Sequence, residues 1–553
     1  MTLVRAAPIA TVAVLVLPVA AGLAGTLLPA FDYLPAIGGH TLGLDAWRRL
    51  IDYPGFGSSL RLTLTVGLVT PLVALALAVC VAAWACERRA WKRFTMAVTP
   101  LLATPHSAMA IGLAFLLAPS GWIARAVSPW LTGWEVPPDV GTVNDPHGVA
   151  LAIGLLVKEV PYLVLMIAGA QEQVRVRESL AMARTLGYDR VTAWVKVILP
   201  QIYPQIRLPV LAVLVFSLSV VDVALILGPG NPPPLAVLAV RWFADVDIAF
   251  YFPGAAAAVL VALIAAFAVA AWRALEGGVA RFGERWIARG GRTGMTPGAA
   301  AAASMAAGLL ALGVAALAGM ALWSVATQWR FPHAWPDGIG LAGWARRVGE
   351  LAAPTLTTLG VGVAATLVAL ALVVGCLEGE VRNRGRGALP PGLLYLPLLV
   401  PQIAFLFGAQ VLLVRTGIDG TFGAVILAHL VFVLPYLYLS LADPWRALDP
   451  RFARAAAALG AGPVRVLWRI KLPLLRRPVL IACAVGFAVS VGQYLATLFA
   501  GNGRVATLTT EAVTLASGAD RRVIGAYATA QAILPWLAFA AAVLVPSRRR
   551  GDA

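Results

Sequence analysis

Charged residues are scarce in this sequence. Only 12% of its 553 residues are Asp, Glu, Lys or Arg, whereas apolar residues make up 60%. A soluble protein of this length carries about a quarter charged residues. The composition therefore excludes an ordinary soluble domain and predicts an all-α integral membrane protein, because long apolar runs cross a bilayer as helices.

Cysteine and histidine are also rare, and neither is spaced for metal binding. The cysteines fall in or beside apolar segments, as small buried hydrophobic side chains do. The histidines are scattered without a ligand spacing, so no metal site is predicted. The residues are Cys80, Cys86, Cys376 and Cys483, with His40, His106, His147, His333 and His429.

Lysine occurs at only four positions, Lys92, Lys158, Lys196 and Lys471. An ATP-binding P-loop needs Lys between Gly and Ser or Thr, so that backbone amides and the ammonium cradle the phosphates. None of the four follows Gly or precedes Ser or Thr. We therefore predict no ATP hydrolysis, no catalytic residue and no cofactor in this chain.

Long apolar stretches are abundant. Twelve reach about twenty residues, the length that a helix needs to cross a hydrocarbon core roughly 30 Å thick. The first has Arg5 ahead of its apolar run, as a signal peptide does, but it is long for that role and a retained anchor is favoured. The predicted spans are 8–30, 60–85, 95–118, 149–170, 207–228, 252–274, 300–324, 354–376, 391–413, 422–441, 479–500 and 524–545.

Basic residues concentrate on one side of this topology. With a cytoplasmic N-terminus, thirty of the forty-three Lys and Arg residues lie in cytoplasmic segments, among them Arg384, Arg386 and 548–550. Cytoplasmic connections carry such an excess in membrane proteins. The net charge of +17 is thus explained without nucleic acid. Both termini are predicted to be cytoplasmic.

Two cytoplasmic connections carry the same pattern. Ala181-Met-Ala-Arg-Thr-Leu-Gly187 is followed after nine residues by Val197-Ile-Leu-Pro200. Arg454-Ala-Ala-Ala-Ala-Leu-Gly460 is followed after nine residues by Ile470-Lys-Leu-Pro473, at an offset of 273. A repeat of this kind indicates one structural unit present twice.

The repeat extends into the spans on either side. Pro161-Tyr162 matches Pro435-Tyr436, and Phe216-x-x-Ser219 matches Phe487-x-x-Ser490. Six spans separate the copies, so both emerge on one membrane face and the halves are parallel repeats. The predicted halves are 1–285, with core 57–274 and loop 171–206, and 286–553, with core 350–546 and loop 443–478.

The motif predicts two short helices joined by a tight turn. Small residues before Gly187 and Gly460 give a smooth helix face that another protein can approach. Glycine at a helix end allows a positive φ, and Leu-Pro is expected to end the second helix before the next span. The alternative is an ordinary amphipathic connection on the membrane surface. Two copies at matched spacing favour docking.

At these residues the chain resembles the permease subunits of binding-protein-dependent ABC importers, of the type I fold. Their signature is E-A-A-x3-G-x9-I-x-L-P, and the resemblance covers about 57–274 and 350–546. Two copies in one polypeptide resemble the fused double permeases of ferric-iron and thiamine importers. The second half, with Gln493–Gly501 and Thr507–Glu511, is most similar to the Ynj-type permease of that group.

The resemblance implies partners and a mechanism. Each motif would form a coupling helix in a groove of a cytoplasmic ATPase that holds ATP and Mg²⁺, so two loops imply two ATPase copies. A periplasmic solute-binding protein would deliver the solute, and alternating access would move it across the bacterial inner membrane. The implied coupling residues are Ala181, Ala183, Gly187, Leu199, Pro200, Arg454, Ala455, Ala456, Gly460, Leu472 and Pro473.

The chain departs from the family signature at its first position. Ala181 stands in place of the Glu in one copy, and Arg454 in the other. A Glu contact to the ATPase is therefore not expected on either side, although the spacing of the motif is kept.

Polar residues inside the predicted spans are candidates for a transport path, because charges are costly there. Asp222 in span five corresponds to Gln493 in span eleven. Ser219 and Ser490 are expected one helical turn earlier on the same face. The alternative is that these groups bond to neighbouring helices without touching a solute.

Lys158 and Glu159 are adjacent in span four, so they do not share a helix face well. A structural role is favoured for both, with Lys158 pairing another helix.

Two other functional classes explain the sequence less well than an importer does. A secondary transporter with two six-span halves, driven by an ion gradient, would explain the repeat but not two matched cytoplasmic loops. An intramembrane enzyme would need paired carboxylates, a His cluster or an activated nucleophile, and the sequence contains none of these patterns.

Overall fold

The computed structural model of the chain describes residues 2–382 and 389–544. Arg384, Arg386 and 548–550, which were counted above as cytoplasmic, lie outside the described residues. Regular structure in the described part is helical except for one short antiparallel pair, β1 Ala326–Gln328 with β2 Gly338–Ile339.

The two halves share most of their order of helices, and the first half contains two additional short helices, Asp45–Ile51 and Trp122–Val127. The helices of the first half are α1 Thr2–Ala30, α2 Asp45–Ile51, α3 Phe56–Ala85, α4 Arg89–Ala103, α5 His106–Leu117, α6 Trp122–Val127, α7 Val149–Glu172, α8 Val176–Thr185, α9 Arg190–Ala193, α10 Leu199–Ser219, α11 Asp222–Leu227, α12 Leu235–Phe243 and α13 Tyr251–Ala288. Those of the second half are α14 Thr296–Val325, α15 Ala342–Arg382, α16 Pro391–Leu399, α17 Gln402–Thr416, α18 Phe422–Arg446, α19 Pro450–Ala458, α20 Pro463–Val466, α21 Leu472–Leu474, α22 Arg476–Val491, α23 Leu495–Gly501, α24 Leu508–Leu515 and α25 Arg521–Leu544.

Membrane-spanning length is the main property that these helices share. In the described residues, ten helices are long and apolar enough to cross a bilayer, and twelve are when each of two sharply bent pairs counts as one span. Each of the twelve overlaps one predicted span. The prediction of an all-α membrane protein with about twelve spans is confirmed.

Spans three and nine were predicted as continuous helices, and the structure breaks both at a proline. α4 ends before Thr104-Pro105, and α16 ends before Val400-Pro401. The residue before proline is extended in each case, with ψ of 132° at Thr104 and 122° at Val400. Proline disfavours a helical residue before it and donates no N–H, so the chain turns there. In the ninth span the two pieces meet at 87°.

Spans five and eleven are also interrupted, at matching places. α10 ends at Ser219 and α11 begins at Asp222, with Val220 extended at ψ 136°. In the second half α22 ends at Val491 and α23 begins at Leu495. Each fifth span of the repeat is therefore a long helix followed by a short one.

The first helix of each half packs against the other half. α1 lies along α15 and α17, whereas α14 lies along α3 and α5. A Cβ on Gly408 would overlap the backbone of Gly22, and the Gly408 N–H donates to the Thr26 hydroxyl over 3.1 Å. Small residues allow such close approach of helices in a membrane. The first helix of each half is therefore packed closely within the helix bundle.

Candidate functional site: the repeated loops and the helix breaks

Both repeated motifs form a helix, a left-handed turn and a second helix. α8 is followed by Gly187 at φ +82°, and α19 by Gly460 at φ +79°. The predicted positive φ is confirmed in both copies. A residue with a side chain resists this conformation, which is why glycine occupies the position.

The turns are closed by the same pair of hydrogen bonds. In the first loop the N–H of Gly187 donates to Arg184 and that of Tyr188 to Ala183, over 2.9 and 3.2 Å. In the second loop Gly460 and Ala461 donate to the corresponding carbonyls, both over 3.0 Å. This is the Schellman arrangement, which satisfies the last carbonyls of a helix. The two loops therefore share geometry as well as sequence.

Leu-Pro does not end the second helix in the first copy as expected, whereas in the second copy the helix ends one residue after Pro473. A π-helical turn, Trp194–Ile198 in one copy and Leu467–Lys471 in the other, directly precedes Leu-Pro. Proline removes one i→i−4 hydrogen bond and crowds the carbonyl four residues back, and a wider π-turn accommodates both effects. In the first copy the helix then continues through Pro200 to Ser219. In the second copy the chain bends by 80° between Leu474 and Arg476.

The motif residues point in two directions. Ala183 and Ala456 are buried against the permease itself, whereas the turn and the other small residues are exposed. Leu186 and Leu459, just before the glycines, are 61% and 88% exposed. Exposed are Ala181, Gly187, Pro200, Arg454, Ala455 and Gly460; half-buried are Leu199, Leu472 and Pro473.

The two exposed leucines were not among the predicted coupling residues. The signal for them was present, because a large apolar residue directly precedes the glycine in both copies. Large exposed apolar side chains at matching positions of both loops are candidate contacts for a partner protein.

The second loop is tied to the membrane helices by a buried ion pair. The Lys471 ammonium lies 2.6 Å from the Glu378 carboxylate of α15, and Arg382 lies 3.1 Å from the other Glu378 oxygen. Breaking a buried pair leaves an uncompensated charge. The start of span eleven is thus held to α15.

Within the membrane, Lys158 caps a broken helix. Its ammonium donates to the carbonyls of Leu101, Leu102 and Thr104, over 2.8, 3.2 and 2.6 Å. These carbonyls lie at the end of α4, where proline prevents the helix from continuing, and a cation is favourable at such an end. The predicted pairing of Lys158 with another helix is confirmed.

Glu159 contacts α10, a different helix from the one that Lys158 contacts. One carboxylate oxygen accepts from the Ser217 hydroxyl of α10 over 2.5 Å, and the other is buried without a hydrogen-bond partner in the described residues. The matching positions of the second half are Phe432 and Val433. The polar set of span four therefore belongs to the first half alone.

The predicted path residues occupy the breaks in spans five and eleven. The expected helical turn from Ser219 to Asp222 is wrong, because the helix is interrupted between them. The Ser219 hydroxyl donates to the Val215 carbonyl of its own helix over 2.7 Å. Asp222 is half-buried at the first position of α11.

Ser490 belongs to a buried network that sequence reasoning missed. His429 bonds through Nδ1 to the Ser490 hydroxyl over 2.7 Å and through Nε2 to the Thr497 hydroxyl over 2.9 Å. The network joins α18, α22 and α23, so Ser490 has the bonding role that was the alternative to a path. Gln493 is half-buried in the break that follows.

The breaks of the two halves meet near the centre. A Cβ on Gly492 would lie 4.0 Å from Pro105, so the break of span eleven lies beside that of span three. His106, next to Pro105, packs on Phe216 with ring centroids 4.9 Å apart. The Gln531 amide of α25 donates to the Ser107 hydroxyl of α5 over 2.9 Å, which joins polar groups of the two halves beside this break. Polar groups of both halves therefore surround one central region.

Known proteins with matching sequences identify this arrangement. The family model of the "binding-protein-dependent transport system inner membrane component" matches residues 371–547. The inner membrane ABC transporter permease protein YnjC of Escherichia coli is 34% identical over 511 residues, which cover 91% of each chain. The chain belongs to the ABC transporter permease family.

Shorter permeases match parts of this one. The molybdenum transport system permease protein ModB of Mycobacterium tuberculosis is 36% identical over 171 residues, or 28% of this chain and 65% of that protein. The spermidine/putrescine transport system permease protein PotC of Haemophilus influenzae is 31% identical over 134 residues, 24% of this chain and 52% of that protein. These matches support a fused double permease, and the chain is a multi-pass inner-membrane ABC permease.

Proposed function

We propose that this permease is the membrane-spanning subunit of an ATP-driven importer and that two copies of a separate cytoplasmic ATPase dock on its two loops. ATP and Mg²⁺ would be held by those ATPase subunits. The observation that carries the proposal is the pair of identical turns, each with a left-handed glycine and an exposed leucine directly before it. A connection that only lay along the membrane surface would not be expected to keep this geometry in both copies, which are 273 residues apart.

The solute path is proposed to run through the central region between the breaks of spans three, five, nine and eleven. Short helices joined to long ones at a break can change their mutual angle without unfolding either piece, as alternating access requires. Asp222 and Gln493 stand at two of these breaks and are the proposed lining residues. A periplasmic binding protein is proposed to supply the solute, and both termini are proposed to lie in the cytoplasm.

Replacing either turn glycine tests the proposal. Gly187→Val and Gly460→Val should abolish solute uptake and substrate-stimulated ATP hydrolysis, because a β-branched side chain at positive φ costs about 1–2 kcal/mol and protrudes into the docking surface. Gly308→Val, at an exposed position of α14 where nothing in the described part of the chain lies within 4 Å of a Cβ, is the control and should keep coupling. Normal coupling in both turn variants would show that the loops are plain membrane-surface connections.

A further inference from the structure

The segment that joins the two halves folds back onto the first cytoplasmic loop. α13 ends at Ala288 and α14 begins at Thr296. The N–H of Asp189 donates to the Arg292 carbonyl over 2.9 Å, and the Thr296 hydroxyl donates to the Asp189 carboxylate over 3.4 Å. A Cβ on Gly187 would lie 3.4 Å from the Arg292 guanidinium. The linker is therefore part of the surface around this turn.

Lys196 holds the beginning of that segment. Its side chain is buried, and its ammonium donates to the carbonyls of Gly291 and Trp286 over 2.7 and 3.3 Å. The ammonium also lies 4.3 Å from the centre of the Trp286 ring. A cation is favourable at the carboxyl end of a helix and over an aromatic face. Lys196 thus fixes the end of α13 against the first loop.

The end of α13 carries an exposed apolar stripe. Its 38 residues are about 57 Å long, whereas the hydrocarbon core is roughly 30 Å thick. Beyond the predicted end of the span at 274, Leu275, Val279 and Phe282 are 64%, 70% and 71% exposed. Spacings of four and three residues place them on one face, which reaches Trp286 four residues later. Such a row of apolar side chains marks a contact surface.

The second loop is more open. Among residues 2–382 and 389–544, nothing lies within 4 Å of a Cβ built on Gly460. Arg469, the position that matches Lys196 in the repeat, is exposed. Within the described residues, the linker packs against the turn of the first loop, and no segment packs in this way against the turn of the second.

We propose that the apolar stripe of α13, the linker 289–295 and the first loop form one composite surface for an ATPase subunit, which makes the first ATPase site the tighter one. This inference rests on the proposed function. The stripe is continuous with the turn at Gly187 through Trp286, Lys196 and Tyr188. The exposed arginines 281, 285, 289 and 292 suit a partner surface with acidic groups around an apolar patch.

Photo-crosslinking tests the occupant directly. The full chain is assembled with its ATPase in lipid nanodiscs, and a photo-reactive amino acid replaces Phe282. We expect a covalent adduct with the ATPase subunit. The control is the same substitution at Val246, which is exposed on the opposite side of the membrane and should yield no ATPase adduct. Adducts with lipid alone at position 282 would overturn the proposal.

Titration of ATPase followed by native mass spectrometry tests the inequality. Phe282→Asp and Lys196→Met should weaken binding of one of the two ATPase copies about tenfold and leave the other unchanged. Arg469→Met, the matched change on the second loop, should change binding by less than about twofold. Phe282→Ser serves as the milder variant if the protein with aspartate at this position does not fold.

If the wild-type chain binds two copies and these variants bind both with unaltered affinity, the composite surface is wrong and the proposed function stands. A wild-type chain that binds no ATPase would contradict the proposed function itself.

Discussion

Lys158 and Asp222 are both charged residues inside predicted spans, but their surroundings differ. Lys158 is buried and donates to three carbonyls at the end of α4. Asp222 is half-buried at a helix break, next to a central region that contains groups from both halves. The first arrangement stabilises the fold, whereas the second leaves a polar group at the place where a solute is proposed to pass.

Lys158→Met should therefore destabilise the protein. The substitution keeps the length of the side chain but leaves three buried carbonyls without a donor, at a cost of about 1–3 kcal/mol. The melting temperature in detergent should fall, while uptake per folded molecule stays normal. An unchanged melting temperature together with lost uptake would place Lys158 in the path instead.

Asp222→Leu should have the opposite profile. It removes the charge at the break without changing either repeated loop, so uptake should slow while ATPase binding remains. The matched control is Ser219→Ala, which should transport normally, because within the described part of the chain the Ser219 hydroxyl bonds only to its own helix. A loss of melting temperature with normal transport per folded molecule would assign Asp222 to helix bonding, a role that averages about 0.6 kcal/mol in membranes.

At the scale of helices and loops, the spans and the glycine turns could be predicted from the sequence. The breaks within the spans could be predicted only in part. The glycine turns follow from the Leu-Gly pattern, because glycine at a helix end adopts a positive φ. The breaks at Pro105 and Pro401 each contain a proline, which disfavours a helical residue before it. The spans were predicted from the length of their apolar runs, and that criterion does not detect a break. The break at Val220-Val221 contains neither proline nor glycine, so it depends on packing that a local pattern does not contain.

The first position of each loop motif is a test of the docking contact. Arg454 is exposed, and its charge is opposite to that of the family's Glu. Its partner groove should offer acidic groups or carbonyls, so Arg454→Glu should weaken ATPase binding several-fold, within the roughly 0–1 kcal/mol of an exposed ion pair. Ala181→Glu should matter less, since Ala181 has no charged partner to repel. Pull-down of the ATPase by each variant measures both effects, and equal losses would contradict the difference between the two loops.

At the scale of the whole molecule, the repeat that is seen in the sequence is also present in the structure. The first helix of each half crosses to the other half, and the largest buried cluster contains residues of both, such as Leu113 and Phe405. This exchange was not predictable, because an apolar helix carries no periodic signal for which neighbour it meets. The close fit of Gly22, Gly25 and Gly408 shows its physical basis only once the two helices are placed together.

The central claim is that one chain presents two ATPase docking sites on one face of the membrane. Native mass spectrometry of the complex formed with an excess of the ATPase tests it most directly. We predict one permease chain with two ATPase subunits, reduced to one when either Gly187→Val or Gly460→Val is introduced. A stable complex of one permease with one ATPase, unaffected by one of the two substitutions, would contradict the account.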